Sequence, residues 1–324
     1  MILVTGATGT VGGEVLRALP PGTPVRLLTR YPDRLAALPP GAEAVAADYA
    51  DPASLARALR GVTRAFLVTT RVGGAEDAAF LAAAREAGVG HVVKLSAAAV
   101  TDPAADDLVT RWQRRTEALL TGSGLRWTLL RPRAFMSNCL SWAPSVRAER
   151  VVRALYGTSR NACVDPRDVA GVAVRALTED GHHGAAHTLT GPEAVSATEQ
   201  TARLADVLGV PLRFEELTPA RARVALTRRH GPRLADALLA AAVRQRDGAK
   251  VAVTQTVREV TGAPARSFAT WVADHASAFT APAEGGGAGG RAAEGVTAAG
   301  GAAGAGAPGA RGATGTAGPG DTAR

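Results

Sequence analysis

Three glycines, Gly6, Gly9 and Gly12, follow four residues of β-type sequence, Ile2 to Thr5, and run directly into a segment with an apolar face on Val11, Val15, Leu16 and Leu19. Strand, glycine turn and helix start are thus placed in immediate succession. A helix start leaves backbone N–H groups unpaired and carries the positive end of the peptide dipole, and glycine lets a pyrophosphate come close to the backbone. The spacing predicts a dinucleotide cradle built from Gly6, Thr8, Gly9, Thr10, Val11 and Gly12.

Which dinucleotide is read one strand later. An NAD site places a carboxylate about twenty residues beyond the glycines to hold the ribose 2′-hydroxyl. Here the strand Pro24 to Thr29 ends in Arg30, with Arg34 a helical turn further on. A guanidinium pairs with a 2′-phosphate and accepts nothing from a hydroxyl, so NADP, and NADPH over NADH, is the expected cofactor. The competing reading of Arg30 is one more solvated arginine. Asp48, with Tyr49 beside it, is placed to accept from an adenine amino group or to cap the helix beginning at Pro52. Thr69 and Thr70 line a cofactor ribose or form a turn. Ser96 faces the nicotinamide side of the cleft and Pro132 passes beneath it, while Arg133, Phe135, Met136 and Asn138 continue as a substrate wall.

The elements that must position these groups alternate along the chain. Short apolar strands at 43–47, 65–69, 91–95 and 127–131 are separated by helices at 52–60, 75–87 and 107–120. This is the pattern of an α/β, doubly wound parallel sheet covered on both faces, whose ligands sit beyond the carboxyl ends of the strands. Asp168 is expected to cap a helix from Val169 to Leu177, and Ser196 with Glu199 to form a capping box. With 324 residues and 46% hydrophobic content, the chain can bury a full core. Residues 281–324 are almost entirely Gly, Ala, Thr and Pro and are expected to form a disordered tail.

The formal net charge of +8 rests almost wholly on arginine, since lysine occurs only at Lys94 and Lys250. The arginines are scattered instead of gathered in one run, which argues against a nucleic-acid partner. Cys139 and Cys163 fit no metal or redox spacing, and His182, His183 and His187 lie in a glycine-flanked turn without a carboxylate or cysteine at useful spacing, so no metal is expected. No apolar run approaches the roughly 18 residues of a membrane span. A cytoplasmic protein without membrane attachment is expected; a homo-oligomer is compatible with the sequence, which does not specify one.

Taken together, Gly6 to Gly12, Arg30, Asp48-Tyr49-Ala50-Asp51-Pro52, Lys94-Leu95-Ser96, Ser123 to Pro132, Phe135 to Asn138, Asp165 to Ala170 and Leu189 to Glu193 resemble the NmrA-like branch of the atypical short-chain dehydrogenases. The resemblance covers residues 1 to about 280. It implies a Rossmann core over about 1–155 with returning segments, and a small C-terminal α/β lobe at about 185–280 that carries a lid over Leu217 to Leu239. It also implies one of two functions: NAD(P)H-dependent reduction of a quinone, azo or similar conjugated small-molecule acceptor, or a non-catalytic redox-sensing role. One departure is decisive for mechanism. Short-chain dehydrogenases carry Tyr-x-x-x-Lys on the helix after the fifth strand, where tyrosine moves the proton and lysine lowers its pKa. Counting back from Glu117 places Val109 and Gln113 at those positions, and neither titrates. The expected contacts to the acceptor are therefore Ser96, as a hydrogen-bond donor, Gln113 and Arg133.

Overall fold

In the computed structural model, which describes residues 1–32, 38 and 40–280, the first half alternates strands and helices apart from the consecutive β2 and β3: β1 (Ile2–Thr5), α1 (Thr10–Ala18), β2 (Val25–Thr29), β3 (Ala42–Ala46), α2 (Pro52–Leu59), β4 (Arg64–Leu67), α3 (Glu76–Glu86), β5 (His91–Leu95), α4 (Leu108–Thr121) and β6 (Arg126–Pro132). The second half adds α5 (Ala143–Glu149), β7 (Val151–Ala154), β8 (Arg160–Asn161), α6 (Pro166–Thr178), β9 (Ala185–Leu189), β10 (Val195–Ser196), α7 (Ala197–Leu208) and β11 (Arg213–Glu216). The helices α8 (Pro219–His230), α9 (Pro232–Arg246), α10 (Thr256–Thr261), α11 (Phe268–His275) and α12 (Ser277–Thr280) complete it. The expectations for Arg34 and for residues 281–324 lie outside the described residues.

Seven strands form one parallel sheet in the order β3-β2-β1-β4-β5-β6-β9. Successive side chains along each strand point to opposite faces, so both faces must be covered. Leu3, Leu28, Ala65, Leu67, Val92 and Leu129 pack with α2, α3 and α4, whereas Ile2, Val4, Leu27, Phe66, Val93 and Leu130 pack with α1 and α6. The doubly wound reading therefore holds, with β9 added beyond β6.

Several boundaries differ from the sequence reading, each for a local reason. β4 stops at Leu67 because the next amide, of Val68, donates to the Thr5 hydroxyl at 2.7 Å, and that hydroxyl bonds back to the carbonyls of Phe66 and Val68. α6 begins at Pro166 and is capped by Asp165, which accepts from the Arg167 amide at 2.8 Å; Asp168 sits inside the first turn and holds Arg266. Proline at the first helical position fixes the start one turn earlier than Asp168 would. Likewise Asp51, not Asp48, caps α2. The capping box at Ser196 and Glu199 forms as expected.

A second core begins at Ala134. Trp142, Val146 and Val152 pack with Leu204, Phe268 and Trp271, so the expected division near residue 155 falls inside a packed unit. It is tied together by β7 pairing with β11 in parallel and β8 with β10 in antiparallel. The α8–α9 hairpin rests on Leu155 and Leu217, and Ala237 of α9 touches Val109 and Trp112 of α4. In this way α9 is laid across the carboxyl ends of β5 and β6.

Candidate functional site

The turn between β1 and α1 closes so tightly that glycine is obligatory at Gly6 and Gly12. Gly6 has φ +62°, and the Gly9 amide donates to the Gly6 carbonyl at 2.9 Å. A Cβ on Gly12 would lie 2.2 Å from the Gly6 carbonyl oxygen and 2.6 Å from its carbon, both backbone atoms that cannot swing away. Gly9 stands at the N-cap of α1 with no side-chain cap, and no acidic residue occupies the first turn. The helix start is therefore free to receive an anion, and the donor set and shape fit a dinucleotide pyrophosphate.

Around this turn lie the other residues read as cofactor contacts. Arg30 is exposed at the carboxyl end of β2, its guanidinium 5.7 Å from the centre of the Tyr31 ring. Asp48 is exposed and folds its carboxylate onto the Ala50 amide at 2.8 Å. Tyr49 is half-buried, and that burial pushes its phenol above the ordinary value, against the opposing effect of a hydrogen bond with Thr5. Thr70 is exposed. Thr69 is buried and donates its hydroxyl to Asp77 at 2.8 Å, so that hydroxyl is engaged in the interior.

Two buried polar groups fix the helices at this end of the sheet. Asp77 of α3 meets Lys94 of β5 at 2.6 Å, with the two side chains 2% and 0% exposed, and the Lys94 ammonium stands 6.0 Å from the centre of the Trp112 ring. Glu117 of α4 accepts from Ser96 at 2.5 Å and from Arg131 through two bonds of 2.9 and 2.6 Å. Here the structure corrects the expected role of Ser96 as a donor to the acceptor: its hydroxyl already donates to Glu117. Gln113 is buried as well, with Thr116 against its carbonyl oxygens, and lines neither cavity described below.

The cleft itself lies beyond β5 and β6. Its floor is Ala97 to Ala99 and Pro132 to Ala134, one wall is the start of α4 at Val109 and Thr110, and α9 roofs it with Ala237, Leu238, Ala241 and Arg244. Val109, at the position expected for a proton-transferring tyrosine, is thus a wall residue. Three cations border the cleft: Arg133, Arg244 and Lys250. Arg244 is held by Asp107, the α4 N-cap, at 2.6 Å and by Asp102 at 3.6 Å. The Arg133 Nε is buried without a hydrogen-bond partner, and burial weakens the hold of that guanidinium on its proton, partly offset by Asp102. Burial, then Arg244 and Arg133, push Lys250 down to about 7, with Asp107 opposing.

Of the remaining wall residues, Phe135 and Asn138 line a second cavity that shares Ala134 with the first and is bordered by Trp142, Leu155 and Tyr156. Met136 lines neither and is buried in the second core. Cys139 and Cys163 are free thiols, both pushed up by burial, Cys163 to about 12, and both bonded to Gln200. Among the described residues no group of three His, Cys, Asp or Glu could hold a metal ion, and no helix is long and apolar enough to cross a membrane.

Comparison with known proteins agrees with this geometry. A family model described as NAD(P)H-binding matches residues 6–180. A (4-alkanoyl-5-oxo-2,5-dihydrofuran-3-yl)methyl phosphate reductase of Streptomyces griseus is 56% identical over 279 residues, covering 86% of this chain and 99% of its own. An NAD(P)H azoreductase of Xenophilus azovorans is 36% identical over 286 residues, 87% of this chain and 100% of its own. The crystal structure of an NADPH-dependent quinone oxidoreductase from Escherichia coli, complexed with NADPH, superposes with a TM-score of 0.73 at 29% identity, over 85% of this chain and 99% of the other.

Proposed function

The chain belongs to the NAD(P)H-binding family, and from that premise we propose that it is an NADPH-dependent reductase of a doubly activated conjugated acceptor, of the acyl-butenolide type named for its Streptomyces relative. The observation that carries the reading is the cleft at the ends of β5 and β6, where Val109 stands on the wall in place of a proton-transferring tyrosine. A simple ketone or alcohol substrate needs a strong local acid or base during hydride transfer. An acceptor that stabilises its own developing anion does not. In the relative's substrate, the ring double bond is conjugated both to the lactone carbonyl and to the alkanoyl carbonyl. Addition of hydride to the carbon bearing the phosphomethyl group leaves an enolate spread over two carbonyls, and a proton from solvent completes the reduction.

When bound, NADPH supplies the hydride and leaves as NADP⁺. The protein's own part is positional. Free N–H groups at the start of α1 hold the pyrophosphate, Arg30 meets the 2′-phosphate, and Asp48, Tyr49 and Thr70 border the adenosine side. The backbone at Ser96 and Pro132 would provide the floor for the nicotinamide. Glu117 fixes that floor, because it clamps Ser96 and Arg131 from α4 at once. Ala237, Leu238 and Ala241 exclude water above the acceptor, which strengthens electrostatic contacts inside the cleft. The second cavity, apolar at Phe135, Trp142 and Leu155, offers room for an alkyl substituent across Ala134.

Substrate scope tests the reading. Acyl-butenolides and quinones are reduced with NADPH, and simple ketones are not; comparable rates with an unactivated ketone would overturn it.

A further inference from the structure

We propose that Arg133, Arg244 and Lys250 form a phosphomonoester subsite, which makes a phosphate on the acceptor the group this cleft selects. The proposal rests on the reductase reading for the identity of the acceptor, and on the following geometry for the anion.

The three cations come from separate places, the segment after β6, the last turn of α9 and the segment after it, and converge on one cleft. Against them stand Asp107 and Asp102. Asp107 is already committed: it caps α4 through the amides of Val109 and Thr110 at 3.0 Å each, accepts the Thr110 hydroxyl at 2.7 Å and pairs with Arg244 at 2.6 Å. Arg133 has no carboxylate within ion-pair distance among the described residues, and its Nε is buried and unpartnered. Cations gathered in a half-dry cleft raise one another's cost, and a dianion between them relieves it. Arginine offers a planar fork to phosphate oxygens and lysine a compact point charge, the combination suited to a tetrahedral ester.

This anion cannot be one of the cofactor's. The pyrophosphate cradle follows β1 and Arg30 follows β2, whereas the cleft follows β5 and β6, two to four strands away across the sheet. At about 4.8 Å per strand that is roughly 10–20 Å. Because the cleft adjoins the floor at Ser96 and Pro132, an anion held here places the remainder of its molecule along that floor.

The full-length protein saturated with NADP⁺ is titrated with phenyl phosphate by calorimetry, and in parallel the wild type reduces an acyl-butenolide methyl phosphate and the corresponding free alcohol. The expected results are one phenyl phosphate per chain, competition with the phosphorylated acceptor, and a kcat/KM at least tenfold higher for the phosphate than for the alcohol. Arg133→Met and Lys250→Met each weaken phenyl phosphate at least tenfold, with Arg133→Lys recovering part of the loss. No binding by the wild type, wild-type affinity in both methionine variants, or equal kcat/KM for phosphate and alcohol overturns the subsite. Phenyl phosphate bound by the wild type and lost in the variants, without reduction of any acceptor, would uphold the subsite while refuting the reductase reading.

Discussion

Gly12→Ala probes the cradle at its tightest point. The new Cβ would stand 2.2 Å from the Gly6 carbonyl oxygen, where ordinary contact begins at 3.4 Å, so the turn and the start of α1 must part by about 1.2 Å. Bonds of about 2.9 Å from the helix N–H groups to the pyrophosphate then stretch to roughly 4 Å, beyond useful hydrogen bonding. Each bond to a charged acceptor contributes about 1.5–3 kcal/mol. Losing two costs about 3–6 kcal/mol, or on the order of 10²–10⁴ in affinity at about 1.4 kcal/mol per tenfold. Titration of NADPH fluorescence measures this directly, with circular dichroism to establish that the variant is folded. Gly171→Ala is the control, because its Cβ meets only the Thr261 methyl at ordinary contact, 3.5 Å. That change, inside α6, should leave NADPH affinity intact and stabilise the fold by about 0.5–1 kcal/mol. A folded Gly12→Ala protein binding NADPH within threefold of wild type would refute the cradle.

Other expectations follow from the same geometry. Arg30→Ala should weaken NADPH by about 1.5–3 kcal/mol and leave NADH nearly unchanged, as titration with both cofactors would show; equal losses would remove the 2′-phosphate assignment. Asp77→Ala strands the fully buried Lys94 charge and should destabilise the fold by about 3–5 kcal/mol in urea, whereas Asp77→Ala combined with Lys94→Met should recover much of that. Affinity for the phosphorylated acceptor should depend on pH through Lys250, which faces Arg244 on α9, Arg133 after β6 and Asp107 at the start of α4. Its ammonium is charged below about 7 and lost above, while a phosphate monoester gains its second charge near about pH 6. The kcat/KM profile should therefore peak between these values and fall on the alkaline side, and Lys250→Met should abolish that alkaline fall.

The fold was legible because its signals are local. Gly6, Gly9 and Gly12 lie within one turn of each other, and the apolar strands from Val25 to Leu130 each carry their own pattern. A nicotinamide dinucleotide likewise follows from the glycine turn and the family resemblance, and the NAD(P)H-binding match bears that out. What the sequence hid depends on partners far along the chain. Asp168 reads as the cap of α6, yet Asp165 caps it and Asp168 instead holds Arg266, 98 residues away. Ser96 reads as an available donor until Glu117, 21 residues on, takes its proton side at 2.5 Å. Arg244 and Lys250 become cleft residues only once α9 is laid over α4. One signal did point there: in a chain whose surface cations are arginine, both lysines, Lys94 and Lys250, are buried.

The central claim is turnover. Full-length protein mixed with NADPH and an acyl-butenolide methyl phosphate should consume one cofactor per acceptor reduced, saturably, with the hydride delivered to the ring carbon that bears the phosphomethyl group. Deuterium carried from labelled NADPH to that carbon and read by NMR gives both facts in one experiment. Tight NADPH binding with no transfer to this acceptor or to any quinone or azo compound would contradict the account and leave a cofactor-sensing role in its place.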